Sequence, residues 1–181
     1  MSVLCGLLSW GSAAFAGSVQ LTTTDGATLA AEDWGKGARG VLLVHDEGRS
    51  RADWATLAPK LANAGFHVLA LDLRGHGASK LPSPLAEADW PKLVADVSAG
   101  SDWLTKAGAT QIHLVGARLG ANLGLHAAAA TPAIGDLVLL SPSLNIHGVK
   151  VSTAIGTLGT RPLLVATSDD DPLSLKTATW L

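Results

Sequence analysis

A charged side chain occupies the position in this sequence where a reactive nucleophile would be expected. Gly116 and Gly120 flank Arg118 as the glycines of a G-x-S-x-G turn flank a nucleophilic serine. A guanidinium stays protonated, with a pKa above about 12, and offers no lone pair for attack on an acyl group. Arg118 therefore stands at a nucleophile position without being able to act as a nucleophile.

Acidic and imidazole side chains follow the ends of three other apolar segments. They are His45, Asp46, Glu47, His76 and Asp171. The carboxyl ends of parallel strands meet at one edge of a sheet, and ligands bind there. The sequence therefore predicts a pocket in this region with Asp46, His45 and His76 at its rim. For His45, a structural role with bonds to the backbone is the favoured interpretation. A structural role is also favoured for His76.

The elements that must position these residues alternate between strands and helices. Asp25-Gly26 predicts a hairpin turn, and the apolar runs after it alternate with segments of helical periodicity. This alternation predicts an open, mostly parallel, doubly wound α/β sheet of about seven strands with an N-terminal antiparallel hairpin. The predicted strands are 19–23, 28–34, 41–44, 67–73, 112–115, 137–140 and 163–166, and apolar positions of the helices lie within 54–62, 90–104, 119–130 and 173–181.

In this order the segments resemble the α/β-hydrolase superfamily. The matching stretches are 43–48, 71–79 with its D-x-R-G-x-G-x-S pattern, 114–122 and 163–172, and the resemblance extends over residues 19–181. It implies hydrolysis of esters or amides by acyl transfer. It also implies Asp171 as the acid of the catalytic triad, and an oxyanion hole made by the backbone N–H groups of Glu47 and Leu119.

Three departures from the family pattern concern the chemistry. Arg118 replaces the serine. The family's general-base histidine follows an eighth strand, whereas this sequence ends at Leu181 with no such strand, so the domain is predicted to be incomplete at its C-terminus. Asp46 replaces the glycine that opens the oxyanion loop and Glu47 follows it, and carboxylates there oppose developing negative charge. The sequence therefore predicts a catalytically impaired family member that keeps its pocket.

Two other functions are alternatives. One is an active ester or amide hydrolase with a non-standard mechanism, in which water is activated near Asp171 and His76. Loss of a triad member typically costs about 10³- to 10⁶-fold in rate, which weighs against it. The other is an anion- or carboxylate-binding module, in which Arg118 binds the ligand at a helix N-terminus. Whichever function applies, a guanidinium at this edge of the sheet needs a carboxylate partner. An ion pair from Arg118 to Asp171 is therefore predicted.

Composition limits the partners of the protein. With 13 Lys+Arg against 15 Asp+Glu and no basic run, it lacks the charge pattern of a nucleic-acid-binding protein. A single cysteine, Cys5, and dispersed histidines predict no metal site, and no cofactor motif is present. Without an 18-residue apolar run after the N-terminus, stable membrane insertion is not expected. The expected ligand is a small-molecule ester, carboxylate or other anion.

The first 16 residues resemble a signal peptide. Residues 3–10 are mostly apolar, and Ala14-Phe15-Ala16 matches the A-x-A cleavage pattern, although no basic residue precedes them. Cleavage would leave a domain of residues 17–181 in the periplasm or outside the cell. The alternative is a short apolar strand or helix of a cytoplasmic protein. An exposed apolar edge at strand 163–166 would favour a homodimer.

Overall fold

The computed structural model describes residues 16–181, whose centre is a seven-stranded sheet. Its strands are β1 (Ala16–Thr22), β2 (Thr28–Trp34), β3 (Arg39–Val44), β4 (His67–Leu71), β5 (Gln111–Ala117), β6 (Ile134–Leu140) and β9 (Leu163–Ala166), while β7 (Asn145–Ile146) and β8 (Val149–Lys150) form a separate hairpin. The strand order in the sheet is β1-β2-β4-β3-β5-β6-β9. The β1–β2 hairpin joins β4 antiparallel, and all other pairs in the sheet are parallel. The predicted open, mostly parallel sheet is confirmed.

Helices cover both faces of this sheet. The buried runs of β3 and β4 alternate between the two faces, because successive side chains of a strand point in opposite directions. The helices are α1 (Ala58–Asn63), α2 (Val94–Lys106), α3 (Leu119–Ala130) and α4 (Pro172–Trp180). Leu42 and Leu69 belong to the larger hydrophobic core, which includes residues of α2 and α3, whereas Leu43 and Val68 belong to the smaller core beside α1.

Two of the predicted helices begin later than their apolar periodicity indicated. In both cases a proline lies near the start of the predicted helical segment. Trp54 ends a separate 3₁₀ turn, Arg51–Trp54, and α1 begins only at Ala58, with Pro59 in its first turn. Pro91 lies in a second 3₁₀ segment, Glu87–Leu93, which precedes α2. Proline lacks an N–H and is tolerated only in the first turn of an α-helix, so each regular helix forms around or after it.

The structure bears differently on the predicted signal peptide at the N-terminus and on the predicted exposed edge strand near the C-terminus. The predicted signal peptide lies outside the described residues except for Ala16, at which β1 begins. At the other end, β9 pairs with β6 and lies at the edge of the sheet, with Leu164 60% exposed. The homodimer stays a prediction. Within residues 16–181, no helix has the length and apolar character needed to cross a membrane.

A buried ion network ties the N-terminal hairpin to the segment after β4. Arg74 donates to the buried Asp96 of α2 from its backbone N (2.8 Å) and its Nε (2.7 Å). Its Nη1 donates to Asp25 in the β1–β2 turn at 2.6 Å. The network fixes the loop that carries His76 relative to the sheet edge where the candidate site lies.

Candidate active site

The turn between β5 and α3 has the geometry that the glycine frame predicts. Arg118, at its centre, has φ 45° and ψ −106°, a strained backbone conformation for a residue other than glycine. A Cβ on Gly116 would lie 2.4 Å from the carbonyl oxygen of Gly120, and one on Gly120 would lie 2.4 Å from that of Val44. The sharp strand-to-helix turn of the frame is therefore present, with a guanidinium at the place of the serine hydroxyl.

The Arg118 side chain is bound by two carboxylates. Its Nη1 donates to Asp171 Oδ2 at 2.7 Å, and its Nε lies 3.5 Å from Asp46 Oδ2. The predicted ion pair from Arg118 to Asp171 is thus confirmed. Since the Arg118 side chain is 46% exposed, water screens this pair and limits its contribution to stability.

Asp171 also serves as the N-cap of α4. Its carboxylate accepts from the Ser174 hydroxyl (2.7 Å) and the Ser174 backbone N–H (3.1 Å). These bonds to Ser174, together with the nearby Arg118 guanidinium, hold the pKa of Asp171 below its usual range. At neutral pH the side chain is an ionised carboxylate that already has several donors.

Asp46 occupies the oxyanion position. Its Oδ1 accepts from the backbone N–H of Glu47 at 2.7 Å and from that of Leu119 at 3.1 Å. These are the two N–H groups that the family resemblance implies as oxyanion donors. The sequence predicted only that acidic residues would weaken the field of these donors, whereas in the structure an oxygen of the chain itself is bound to both.

The Glu47 side chain is engaged elsewhere, with a residue that the sequence analysis did not select. Its Oε2 lies 2.9 Å from Nε2 of His147, in the turn between β7 and β8. The available sequence signal was His147-Gly148 between two apolar residues, which suits a two-residue hairpin turn. Of the two acids in this loop, only Asp46 accepts from the Leu119 N–H of the turn at residues 116–120, which we call the elbow.

His45 does not lie at the pocket rim, so that expectation was wrong. Its side chain is fully buried, Nδ1 donates to the carbonyl of Asp46 (2.6 Å), and Nε2 accepts from the Leu73 N–H (3.0 Å). Burial lowers the pKa of His45, which keeps the ring neutral. Both nitrogens are used by the backbone, as the structural interpretation required.

His76 lies on the wall of a cleft of about 520 Å³, together with Glu47, Lys80 and Trp90. Its Nδ1 donates to the carbonyl of Arg74 at 3.0 Å. This bond agrees with the structural interpretation of His76. The residues that line the cleft include neither Asp46 nor Arg118.

The remaining histidines are engaged away from the elbow. His67 lies 3.6 Å from Asp33, His113 pairs with Asp136 at 2.7 Å, and His126 donates to the carbonyl of Lys150. Among residues 16–181, no three His, Cys, Asp or Glu side chains are grouped so as to hold a metal ion.

Comparisons with known proteins point to hydrolases. The family model for serine aminopeptidases, S33, matches residues 36–176. The chain is 38% identical to epoxide hydrolase A of Mycobacterium tuberculosis over 43% of this chain and 24% of that protein. It is 33% identical to a non-heme chloroperoxidase of Streptomyces lividans over 67% of this chain and 43% of that protein.

A solved hydrolase structure also resembles the fold of this chain. An esterase of Pyrococcus furiosus superposes with a TM-score of 0.63 at 26% identity, covering 72% of this chain and 53% of the esterase. The chain thus spans about half or less of the length of these proteins.

Proposed function

This chain belongs to the serine aminopeptidase family, S33, of the α/β-hydrolase superfamily, and from that premise we propose that it is a catalytically impaired member. It keeps the family's pocket architecture without its acyl-transfer chemistry. One observation carries the proposal: Asp46 Oδ1 accepts from the N–H groups of both Glu47 and Leu119 while Arg118 stands at the nucleophile position.

The charges at the elbow oppose each step of acyl transfer. A tetrahedral intermediate needs the two N–H groups for its oxyanion, so the Asp46 carboxylate would have to be displaced from both. Loss of a single oxyanion donor typically costs about 10²- to 10³-fold in rate. Loss of the nucleophile alone costs up to about 10⁶-fold. The two effects act on the same reaction, and together they leave little above the rate in water.

The site does not favour a hydrolase with a non-standard mechanism. A general base needs a pKa near the working pH, whereas bonds to Ser174 and the charge of Arg118 lower the pKa of Asp171. His76 donates from Nδ1 to the carbonyl of Arg74 and lines a cleft whose described lining includes neither Arg118 nor Asp171. Neither group is arranged to activate water beside the elbow.

An anion-binding role would require displacement of the chain's own carboxylates. The N–H groups at the start of α3 already bind Asp46, and the guanidinium of Arg118 already binds Asp171. An external carboxylate therefore competes with partners that are always present at high effective concentration. The arrangement favours a site in which the charged groups of the chain bind one another and not an external ligand.

Restoring the serine tests the proposal. The Arg118→Ser variant completes the G-x-S-x-G frame, yet we expect it to hydrolyse p-nitrophenyl acetate no faster than buffer. Asp46 still fills the oxyanion position. Five of the six histidines bind groups other than the residues of the turn at Arg118, and His67 lies beside Asp33 at 3.6 Å. Arg118→Ala is the matched control, since it removes the same charge without adding a hydroxyl. A rate for the serine variant well above that of the alanine variant would mean that a general base reaches the elbow, and the proposal would fail.

A further inference from the structure

The turn between β7 and β8 presents an imidazole at its tip. His147 and Gly148 are the two residues of this turn, and both have positive φ, at 47° and 80°. Such a pair of left-handed residues gives the tight hairpin turn that matches the twist of its strands, and Asn-Gly is its preferred sequence.

The base of this hairpin is fixed to α3. The fully buried Asn122 donates from Nδ2 to the carbonyls of Ser143 (2.7 Å) and Val149 (2.8 Å), and its Oδ1 accepts from the Ser143 N–H at 3.2 Å. Every hydrogen-bonding atom of this amide side chain is thereby used in holding the hairpin. The His147 ring is therefore presented at a defined place beside the cleft.

Two carboxylates face the two ring nitrogens of His147. Nε2 lies 2.9 Å from Glu47 and Nδ1 lies 3.3 Å from Glu87, while the ring stacks on Trp90 with 4.2 Å between centroids and an interplanar angle of 11°. A neutral imidazole carries one N–H, so only the imidazolium can donate to both acids. Stacking of a cation on an indole adds a favourable electrostatic contact.

Two other titratable groups belong to the surroundings of this ring. His76 makes an edge contact with the same Trp90 at 6.1 Å between centroids, and Lys80 lines the same cleft. Although partial burial of the ring lowers the pKa of His147, the bonds and charges of Glu47 and Glu87 outweigh it and raise the pKa above its ordinary value. The acids that bind the ring thus dominate its titration.

The ring joins three separate segments around the cleft. Glu47 and Trp90 both line it, and Glu87 begins the Glu87–Leu93 segment that contains Trp90. Glu47 also supplies one of the two N–H groups that bind Asp46. Contacts of the ring therefore extend to the loop that fills the oxyanion position.

We propose that His147 is a pH-sensitive clasp. As an imidazolium it holds the Asp46-Glu47 turn and the Glu87–Leu93 segment against the hairpin. On losing its proton it must give up one of the two carboxylates, so this side of the cleft loosens as the pH rises.

The sign of the pH effect follows from the direction of the titration. A histidine whose pKa is raised by folding contributes stability that is fully present below its unfolded pKa, about 6.5. That contribution is lost as the pH rises through the folded pKa. The charge-dependent part of this stability is thus greatest in mildly acidic solution and is lost in alkaline solution.

The His147→Asn variant tests the clasp, because asparagine suits the turn and has no proton to lose in this range. We expect its Tm to lie about 2–4 °C below that of the natural chain at about pH 6, and the difference to be clearly smaller at about pH 9, where the neutral ring keeps its stack on Trp90 and one carboxylate. In an NMR titration of the natural chain, we expect His147 to titrate above the ordinary histidine pKa and the amide proton of Leu119 to shift with the same midpoint. Glu47→Gln should move that midpoint to lower pH.

Several results would overturn the clasp. One is an ordinary or lowered midpoint for His147. Another is the same Tm difference for His147→Asn at both pH values, which is what a merely structural contact would give. If the chemical shift of the Leu119 amide proton did not change as His147 titrates, the clasp would not be coupled to the oxyanion loop, and that part of the proposal would fail.

Discussion

Replacing Asp96 by alanine is expected to lower the free energy of unfolding by about 3–5 kcal/mol. The Asp96 carboxylate is fully buried and accepts from both the backbone and the guanidinium of Arg74, whose own side chain is only 9% exposed. Without it, the guanidinium keeps Asp25 as its remaining acid partner in the network and stays largely out of water. Removing one partner of a buried ion pair is costly for this reason. Urea unfolding followed by tryptophan fluorescence measures the loss.

Asp102 provides a matched control for this prediction. It lies on the same helix, α2, but its side chain is exposed, so Asp102→Ala should change the stability by no more than about 0.5 kcal/mol. Equal effects of the two substitutions would show that the Arg74–Asp96 pair does not anchor the loop after β4.

Placing a methyl group on Gly116 is expected to destabilise the protein by about 3 kcal/mol. The added carbon would lie 2.4 Å from the carbonyl oxygen of Gly120 and 2.7 Å from Cα of Ala121, so it meets the first turn of α3 itself and not a movable side chain. The helix would have to shift, and with it the N–H that binds Asp46. The midpoint of urea unfolding reports this cost.

Gly156→Ala is the control, because nothing lies within 4 Å of the position that its methyl group would take. We expect it to leave the unfolding midpoint nearly unchanged. If Gly116→Ala were equally harmless, the tight contact between β5 and α3 would not be needed for the turn that holds Arg118.

Much of the fold could be predicted because its signals are local in the sequence. Apolar runs too short for helices marked the buried strands, Asp25-Gly26 marked the hairpin, and paired glycines marked the turn at Arg118. The pair between Arg118 and Asp171 followed from topology and charge, since a guanidinium at that edge needs an acid and parallel strands bring one there. Such inferences require no knowledge of side-chain rotamers.

The details of the site depended on side-chain directions that sequence patterns do not encode. The spacing of Asp46 and Glu47 does not say which carboxylate turns toward the elbow and which toward the hairpin. The position of His45 at a strand end suggested the pocket rim, but its ring turns inward to the backbone. The role of His147 depends on contacts with residues 60 and 100 positions away, so its neighbours along the chain carry little information about it.

Intact-mass spectrometry after exposure to a fluorophosphonate probe tests most directly whether this chain retains serine-hydrolase chemistry. Such probes phosphonylate a serine only where a base and an oxyanion site activate it. With an active serine hydrolase labelled in parallel, we predict that the 181-residue chain remains at its unmodified mass, because Arg118 occupies the nucleophile position and Asp46 the oxyanion position. Stoichiometric addition of the probe to any serine of the folded chain would contradict this and show that an activated nucleophile is present.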